Sequence, residues 1–302
     1  MKLNNWFGDT SKSNIHLVTD NQQLKIAEWI QSGLSYTSCT IHNIDDSEVL
    51  ITNFAQLNSD DYLVVILSLD SFINKAMNRF YPTFKKPNGL CCRYIFVRLD
   101  ISLKSLVEGL NTDDQLVKAK INHYLGIKNE SQVTVKSETG TNVSFMINKF
   151  GSFNHFINDT SDTAFLPPSE IYAGIHLGSA NGEIVVDLTV GQLYREGKLL
   201  EKFGLVSSPF KLIVKNGKID NIIGNDLLKK HLSEIEDEAS AIVELGIGLS
   251  QMEPTGIIGI DESIFNTCHF GIGDGSFYGI DNKSSIHLDV VLTIPQVLIN
   301  SY

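Results

Sequence analysis

Apolar residues recur along this chain in two rhythms, and the rhythm changes near residue 125. In the first part, apolar runs of strand length alternate with stretches of helical spacing. Ile15-His16-Leu17-Val18 reads as a strand, and residues 21–32 place Leu24, Ile26, Ala27 and Ile30 at helical intervals. Residues 62–69 and 91–99 are continuous apolar runs, the pattern of strands covered on both faces. Residues 102–110 and 112–124 read as helices, with Asn111-Thr112-Asp113-Asp114 offering N-cap side chains between them.

After residue 125 the texture is β. Residues 133–136 and 143–147 flank a turn at 137–142 and predict a hairpin, and residues 182–190 predict a strand. Residues 210–214 and 218–223 alternate around Asn216-Gly217, a strong hairpin signal because both residues accept positive φ. Residues 225–245 carry Leu227, Leu228, Leu232, Ile235, Ala239, Ile242 and Val243 at helical spacing. Glu234, Glu236, Asp237 and Glu238 fall opposite them, so this stretch predicts one amphipathic helix with a solvated acidic face. Residues 286–294 end in an alternating strand. The expectation is an α/β (α+β) chain, with an open α/β domain over residues 1–124 and a β-rich domain over 125–302.

Composition narrows the function classes. At 302 residues, 42% of them hydrophobic, the chain can bury a substantial core. A formal net charge of −11 and the lack of a long basic run argue against a nucleic-acid partner. The polar N-terminus and the absence of an apolar run long enough to span a bilayer predict no membrane partner and a cytoplasmic setting. Cys39, Cys91, Cys92 and Cys268 show no C-x-x-C spacing; Cys91-Cys92 reads as part of a buried strand, with no disulfide framework.

Candidate chemistry gathers after residue 165. Glu170 lies in Leu-Pro-Pro-Ser-Glu-Ile-Tyr (166–172), Glu244 in Glu-Leu-Gly-Ile-Gly (244–248) and His269 in Thr-Cys-His-Phe-Gly-Ile-Gly (267–273). His287-Leu288-Asp289 follows, and a strand would aim its first and third residues to one side. Two His and three carboxylates form a nitrogen and oxygen donor set suited to Zn, Co, Mn or Fe. His16, His42, His123, His155, His176 and His231 default to structural roles. Gly271-Ile272-Gly273-Asp274-Gly275 fails the dinucleotide pattern at Ser276 and reads as close backbone packing beside His269.

In order and spacing these motifs resemble the M29 family of metallo-aminopeptidases, the aminopeptidase T or thermophilic-aminopeptidase type. Thr139-Gly140-Thr141-Asn142-Val143 and Asp261-Glu262 are similar to two further motifs of that family, and Ser284-Ser285-Ile286-His287-Leu288-Asp289 to its Ser-Ala-x-His-Trp-Asp. The resemblance implies two divalent metal ions (Zn, Co or Mn) held by Glu170, Glu244, His269, His287 and Asp289, with one carboxylate bridging. It also implies a hydrolase that removes N-terminal residues from peptides through a metal-activated water, working as a homodimer.

The chain departs from the pattern at several positions. Ser276 stands, without a gap, where the family has a Tyr, and Tyr278 two residues on is the candidate to take that catalytic place. Ser263, Ser169 and Leu288 replace a Lys, a Gly and a Trp. These changes predict slower hydrolysis, or a protein that binds peptides without cleaving them. A third reading follows from 2,5-dihydroxypyridine dioxygenases, which resemble the same family and use mononuclear iron near a similar His-Leu-Asp motif.

Overall fold

A computed structural model describes residues 3–46, 51–76, 90–157, 163–195, 198–293 and 295–300. It is mixed α/β, with one parallel sheet and one large curled antiparallel sheet. The chain divides into two compact units. The first comprises residues 1–114, 153–169 and 250–252; the second comprises 115–152, 170–249 and 253–302. The sequence pattern suggests one cut near residue 124, whereas the chain leaves the first unit and returns to it. The reason is a short strand far along the chain, described next, that completes the parallel sheet.

In the first unit, β1 (Asn14–Thr19), β2 (Ser38–Asn43), β3 (Tyr62–Ile66), β4 (Arg93–Val97) and the late strand Thr163–Leu166 pair in parallel, with β2 outermost beside β1. The apolar runs at 62–69 and 91–99 are the inner strands, and every residue of β3 is buried. Cys92 is buried before β4, Cys91 is exposed, and all four cysteines are free thiols. Helices α1 (Leu3–Phe7), α2 (Leu24–Gly33) and α3 (Leu103–Leu110) accompany this sheet. Ser102 caps α3 by accepting from Ser105 N.

Strand order reverses between β1 and β3, where open α/β sheets commonly bind ligands. Here protein groups bridge that point. Buried Asp20 accepts hydrogen bonds from Gln23 N, Ser68 N and Ser68 Oγ at 2.6 to 2.9 Å.

The second unit contains helix α4 (Asp114–Leu125), of which residue 114 belongs to the first unit, and the antiparallel sheet. Counting the late strand of the first unit as β7, its strands are β5 (Gln132–Lys136), β6 (Asn142–Ser152), β8 (Glu170–Ile175), β9 (Asn181–Val186), β10 (Thr189–Arg195) and β11 (Lys198–Leu205). They continue as β12 (Phe210–Lys215), β13 (Lys218–Ile223), β14 (Ile242–Gly248), β15 (Thr267–Gly273), β16 (His287–Thr293) and β17 (Gln296–Asn300). The main path runs β11-β10-β16-β15-β14-β8-β6-β9-β12-β13, and β5 joins β17 to β6. Both expected hairpins form, and Asn216 (φ 48°) and Gly217 (φ 78°) make the turn between β12 and β13. Among the described residues no helix is long and apolar enough to cross a membrane.

Two local expectations change. Residues 225–245 are not one helix. Helix α5 covers only Asp226–Ser233, a 3₁₀ turn covers Asp237–Ser240, and β14 begins at Ile242. Lys230 and His231 sit in the last turn of α5, where positive charge suits the helix dipole. Glu234, Glu236, Asp237 and Glu238 would repel the carbonyl end of a longer helix, and β-branched Ile242 and Val243 fit a doubly covered strand. The expected strand at 182–190 is two strands, because the chain passes from β9 to β10 at Asp187-Leu188. There Asp187 accepts from Thr293 N and Oγ1. Residue 294, the end of the expected last strand, lies outside the described residues.

Candidate metal centre

Strands β8, β14, β15 and β16 are consecutive neighbours in the antiparallel sheet, and alternation sorts their side chains except at a bulge in β14, where Val243 packs with Ile280 and Tyr278. One face carries Ile171, Ala173, Ile175, Ile242, Leu245, Ile247, Cys268, Phe270, Ile272, Leu288, Val290 and Leu292, all buried core. The other face carries Glu170, Tyr172 and Gly174 on β8, Glu244, Gly246 and Gly248 on β14, His269, Gly271 and Gly273 on β15, and His287 and Asp289 on β16. The register opposes each candidate ligand to a glycine: Glu170 to Gly248, Glu244 to Gly174 and Gly271, His269 to Gly246, Asp289 to Gly271, and His287 to Gly273.

The glycines make the space. A Cβ on Gly246 would overlap the His269 ring. One on Gly271 would lie 2.6 Å from Glu244 Oε2 and 2.9 Å from His287 Cε1. The reading of Gly271 as close packing beside His269 thus becomes specific: glycine on one strand leaves the volume that a polar side chain on the next strand fills.

All five candidate residues converge. Among the described residues, Glu170, Glu244 and His269 form one group whose ligand atoms lie within 4.8 Å of one another, and Glu244, His287 and Asp289 form a second. Glu244 belongs to both. Its Oε1 is 3.4 Å from His269 Nε2 and its Oε2 is 3.2 Å from His287 Nε2. Glu170 Oε2 lies 3.2 Å from His269 Nε2, and Asp289 Oδ1 lies 3.1 Å from His287 Nε2. Glu244 and His269 are each 1% exposed and Glu170 is 5% exposed, whereas His287 and Asp289 are half-buried.

Burial of three carboxylates is costly unless positive charge compensates it. Burial pushes the His269 imidazole down, but Glu170, Glu244 and Asp289 outweigh it and raise its pKa to about 10. His287 is likewise raised well above its ordinary value, mainly by Asp289 and Glu244 acting against burial. Burial raises Glu244, yet its hydrogen bond to His269 and the nearby His269 and His287 imidazoles hold it down to about 2. The carboxylates thus favour positive charge at both imidazoles. A nitrogen and oxygen donor set, converging Nε2 and carboxylate atoms and a glycine-lined cradle fit metal ions of the Zn, Co, Mn or Fe kind.

Of the two positions compared for a phenol, Tyr278 lies beside the site and Ser276 does not. Ser276 is exposed, and its hydroxyl donates to Asp274 Oδ2 at 3.3 Å. Tyr278 lies on a 3₁₀ turn over Ser276–Tyr278, with Glu244, Glu170 and Asp289 near enough to act on its phenol through their charges. Its pKa is raised well above the ordinary value by burial and then by Glu244, Glu170 and Asp289, so it remains a proton donor. Its ring lies 5.8 Å from the His287 ring and 5.6 Å from the Tyr172 ring, and Phe277 closes the aromatic cluster at 5.8 Å from Tyr172.

Sequence reasoning missed Glu236 and Asp274. Glu236 is no solvated helix face: it binds Ser284 and Ser285, just before His287. A run of acids followed much later by paired serines gives no periodic signal. Asp261, of the Asp261-Glu262 motif, lies outside the ligand groups and accepts from Thr189 Oγ1, Thr255 N and Oγ1, and Gly256 N as a buried structural knot. The six histidines set aside as structural lie outside the two groups. His155, for example, lies 3.2 Å from the Phe165 carbonyl, and His16 stacks on His42 with ring nitrogens 2.9 Å apart.

No family model matches the chain, and no curated protein matches it. Solved structures do. A 2,5-dihydroxypyridine dioxygenase from Pseudomonas putida KT2440 gives a TM-score of 0.61 at 12% identity, over 98% of this chain and 90% of that one. Wild-type AmpT from Thermus thermophilus gives a TM-score of 0.53 at 10% identity, over 96% of this chain and 90% of that one. At these identities the likeness shows a shared fold alone.

Proposed function

We propose that the chain is a metal-dependent hydrolase of the aminopeptidase type, acting on the N-terminal residue of peptides. The observation that carries this reading is the pair of ligand groups joined by one buried carboxylate, Glu244. Glu170 and His269 would hold one divalent ion with it, and His287 and Asp289 the other. Bound ions would supply Lewis acidity toward a peptide carbonyl and lower the pKa of a coordinated water.

The chain's own groups do the rest. The buried apolar face behind the site keeps bulk water from the ligands' inner side. Burial and the carboxylates of the site keep the Tyr278 phenol protonated, so it can donate to charge that develops on a substrate oxygen. Tyr172 and Phe277 wall one side of the site with aromatic surface. Turnover of free-amino-terminal dipeptides by Zn-, Co- and Mn-loaded protein tests this reading. Cleavage should stop with chelator and with His287→Ala; cleavage that survives either one rejects it. Peptide binding without turnover by fully loaded protein would instead favour the binding-protein reading.

A second reading rests on two observations. The dioxygenase has the larger TM-score of the two neighbours, 0.61 against 0.53, and His287-Leu288-Asp289 is a potential iron-ligating pair. In that reading the site holds one iron. Elemental analysis separates the two: two Zn, Co or Mn equivalents per chain support the hydrolase, and one iron with oxygen consumption on a hydroxylated pyridine supports the oxygenase.

A further inference from the structure

His287 is the ligand candidate least supported by packing, yet it is aimed with care. Its Nδ1 donates to the Asp274 carbonyl at 2.8 Å, which leaves Nε2 facing Glu244 and Asp289. Such a hydrogen bond fixes both the tautomer and the ring angle of a ligating histidine. The geometry of this bond depends on where residues 274–286 lie, since both partners sit at the ends of that segment.

Two carboxylates pin the segment. Glu236 Oε1 accepts from Ser285 N at 2.6 Å and from Ser284 Oγ at 2.8 Å, while Oε2 accepts from Ser285 Oγ at 3.0 Å. Arg195 Nη2 stands 3.9 Å from the same carboxylate. Asp274 accepts from Ser276 N, Ser276 Oγ and Ser284 N at 3.0 to 3.3 Å. Asp274 N in turn donates to the Ile286 carbonyl at 2.7 Å. Asn282 Nδ2 ties the middle of the loop to the Glu238 and Gly273 carbonyls at 2.9 and 2.6 Å. Three charge-assisted bonds on a part-exposed carboxylate are more than a solvated surface acid needs. Ser285 hydrogen bonding, the largest influence, holds Glu236 down to about 2, so it is ionised at neutral pH.

We infer that Glu236 is a positioning residue: by clamping Ser284 and Ser285 it keeps His287 in the orientation that completes the second ligand group, and it fixes the loop that carries Tyr278. Its role toward metal rests on the proposed function, but its effect on His287 does not.

The test has one readout without metal and one with it. In metal-free protein labelled at histidine, the Nδ1 proton of His287 should be protected from solvent exchange. In Glu236→Ala it should exchange at least roughly tenfold faster, because the segment opens locally. Glu236→Gln, whose amide oxygen still accepts from Ser285 N, should fall between the two. In metal titrations, Glu236→Ala should weaken the second equivalent by roughly 10–100-fold and leave the first near wild type. If Glu236→Ala does not fold, Ser285→Ala, which loses one hydroxyl contact, should shift both readouts in the same direction by less.

Wild-type exchange rates in Glu236→Ala overturn the inference, as does equal weakening of both metal equivalents. Protection that depends on Glu236 in a wild-type protein that binds no metal at all supports the clamp and rejects the metal reading. The two failures are therefore distinguishable.

Discussion

The two ligand groups share Glu244 and one sheet face, yet they are held in different ways. His269 is buried, and its Nδ1 has no hydrogen-bond partner among the described residues. Its ring is placed by shape, because it fills the volume left by Gly246. His287 is half-buried, and its ring is placed by a hydrogen bond to the Asp274 carbonyl. Close packing tolerates little change in volume, whereas a loop held by hydrogen bonds can open without unfolding its sheet. The buried group should therefore behave as part of the core and the other as part of the surface.

The largest expected effect removes the comparison altogether. Glu244→Ala takes a ligand from both groups, so both metal equivalents should be lost in calorimetric titration. The loss per ion should exceed the roughly 10–100-fold that follows removal of an outer hydrogen bond. Retention of one tight ion would show that Glu244 is not shared.

His269→Ala should split the groups. The first equivalent disappears while the second stays, and metal-free protein loses on the order of 3–5 kcal/mol, since buried carboxylates lose their counter-charge. Denaturant melts with and without metal measure this. His287→Ala should cost less stability because its surroundings admit water.

Tyr278→Phe should leave both metal affinities unchanged and lower kcat on dipeptides by about 10²–10³-fold, the usual loss for one donor to a developing oxyanion. An unchanged kcat would confine the phenol to packing. Gly246→Ala sharpens the contrast more gently. The added methyl collides with the His269 ring, a strain of roughly 1–3 kcal/mol, and should weaken the first equivalent more than the second.

A further expected effect is in pH. The ordinary imidazole value is 6.5 and His269 is raised to about 10, so its contribution to stability is complete below 6.5 and lost as pH rises through about 10. Glu244 is lowered from 4.5 to about 2, so its contribution is complete above 4.5 and lost as pH falls through about 2. Metal-free protein should melt at its highest temperature between these limits, and bound metal should extend the plateau on the alkaline side. Equal melting curves with and without chelator at high pH would count against cation replacement of the imidazole protons.

Much of the parent fold is legible in the sequence. The buried runs at 62–69 and 91–99, the capped helix after Ser102 and the Asn216-Gly217 hairpin each follow from local chemistry that no tertiary contact contradicts. The five candidate donor residues are also legible there, because ligand chemistry is a property of side-chain type. Neighbours in space decide the rest. Residues 225–245 have helical spacing, but the acids from Glu234 onward end the helix, and β8 and β15 recruit Ile242–Gly248 as a strand between them. The late strand β7 joins a parallel sheet whose other members precede it by at least 65 residues, a pairing that no local pattern encodes. That glycine on one strand faces a ligand on the next is a matter of register, and register exists only once strands pair. The same holds for Glu236. Alone it is one acid in an acidic run; in the fold, Ser284 and Ser285 are brought to it across 48 and 49 residues of chain.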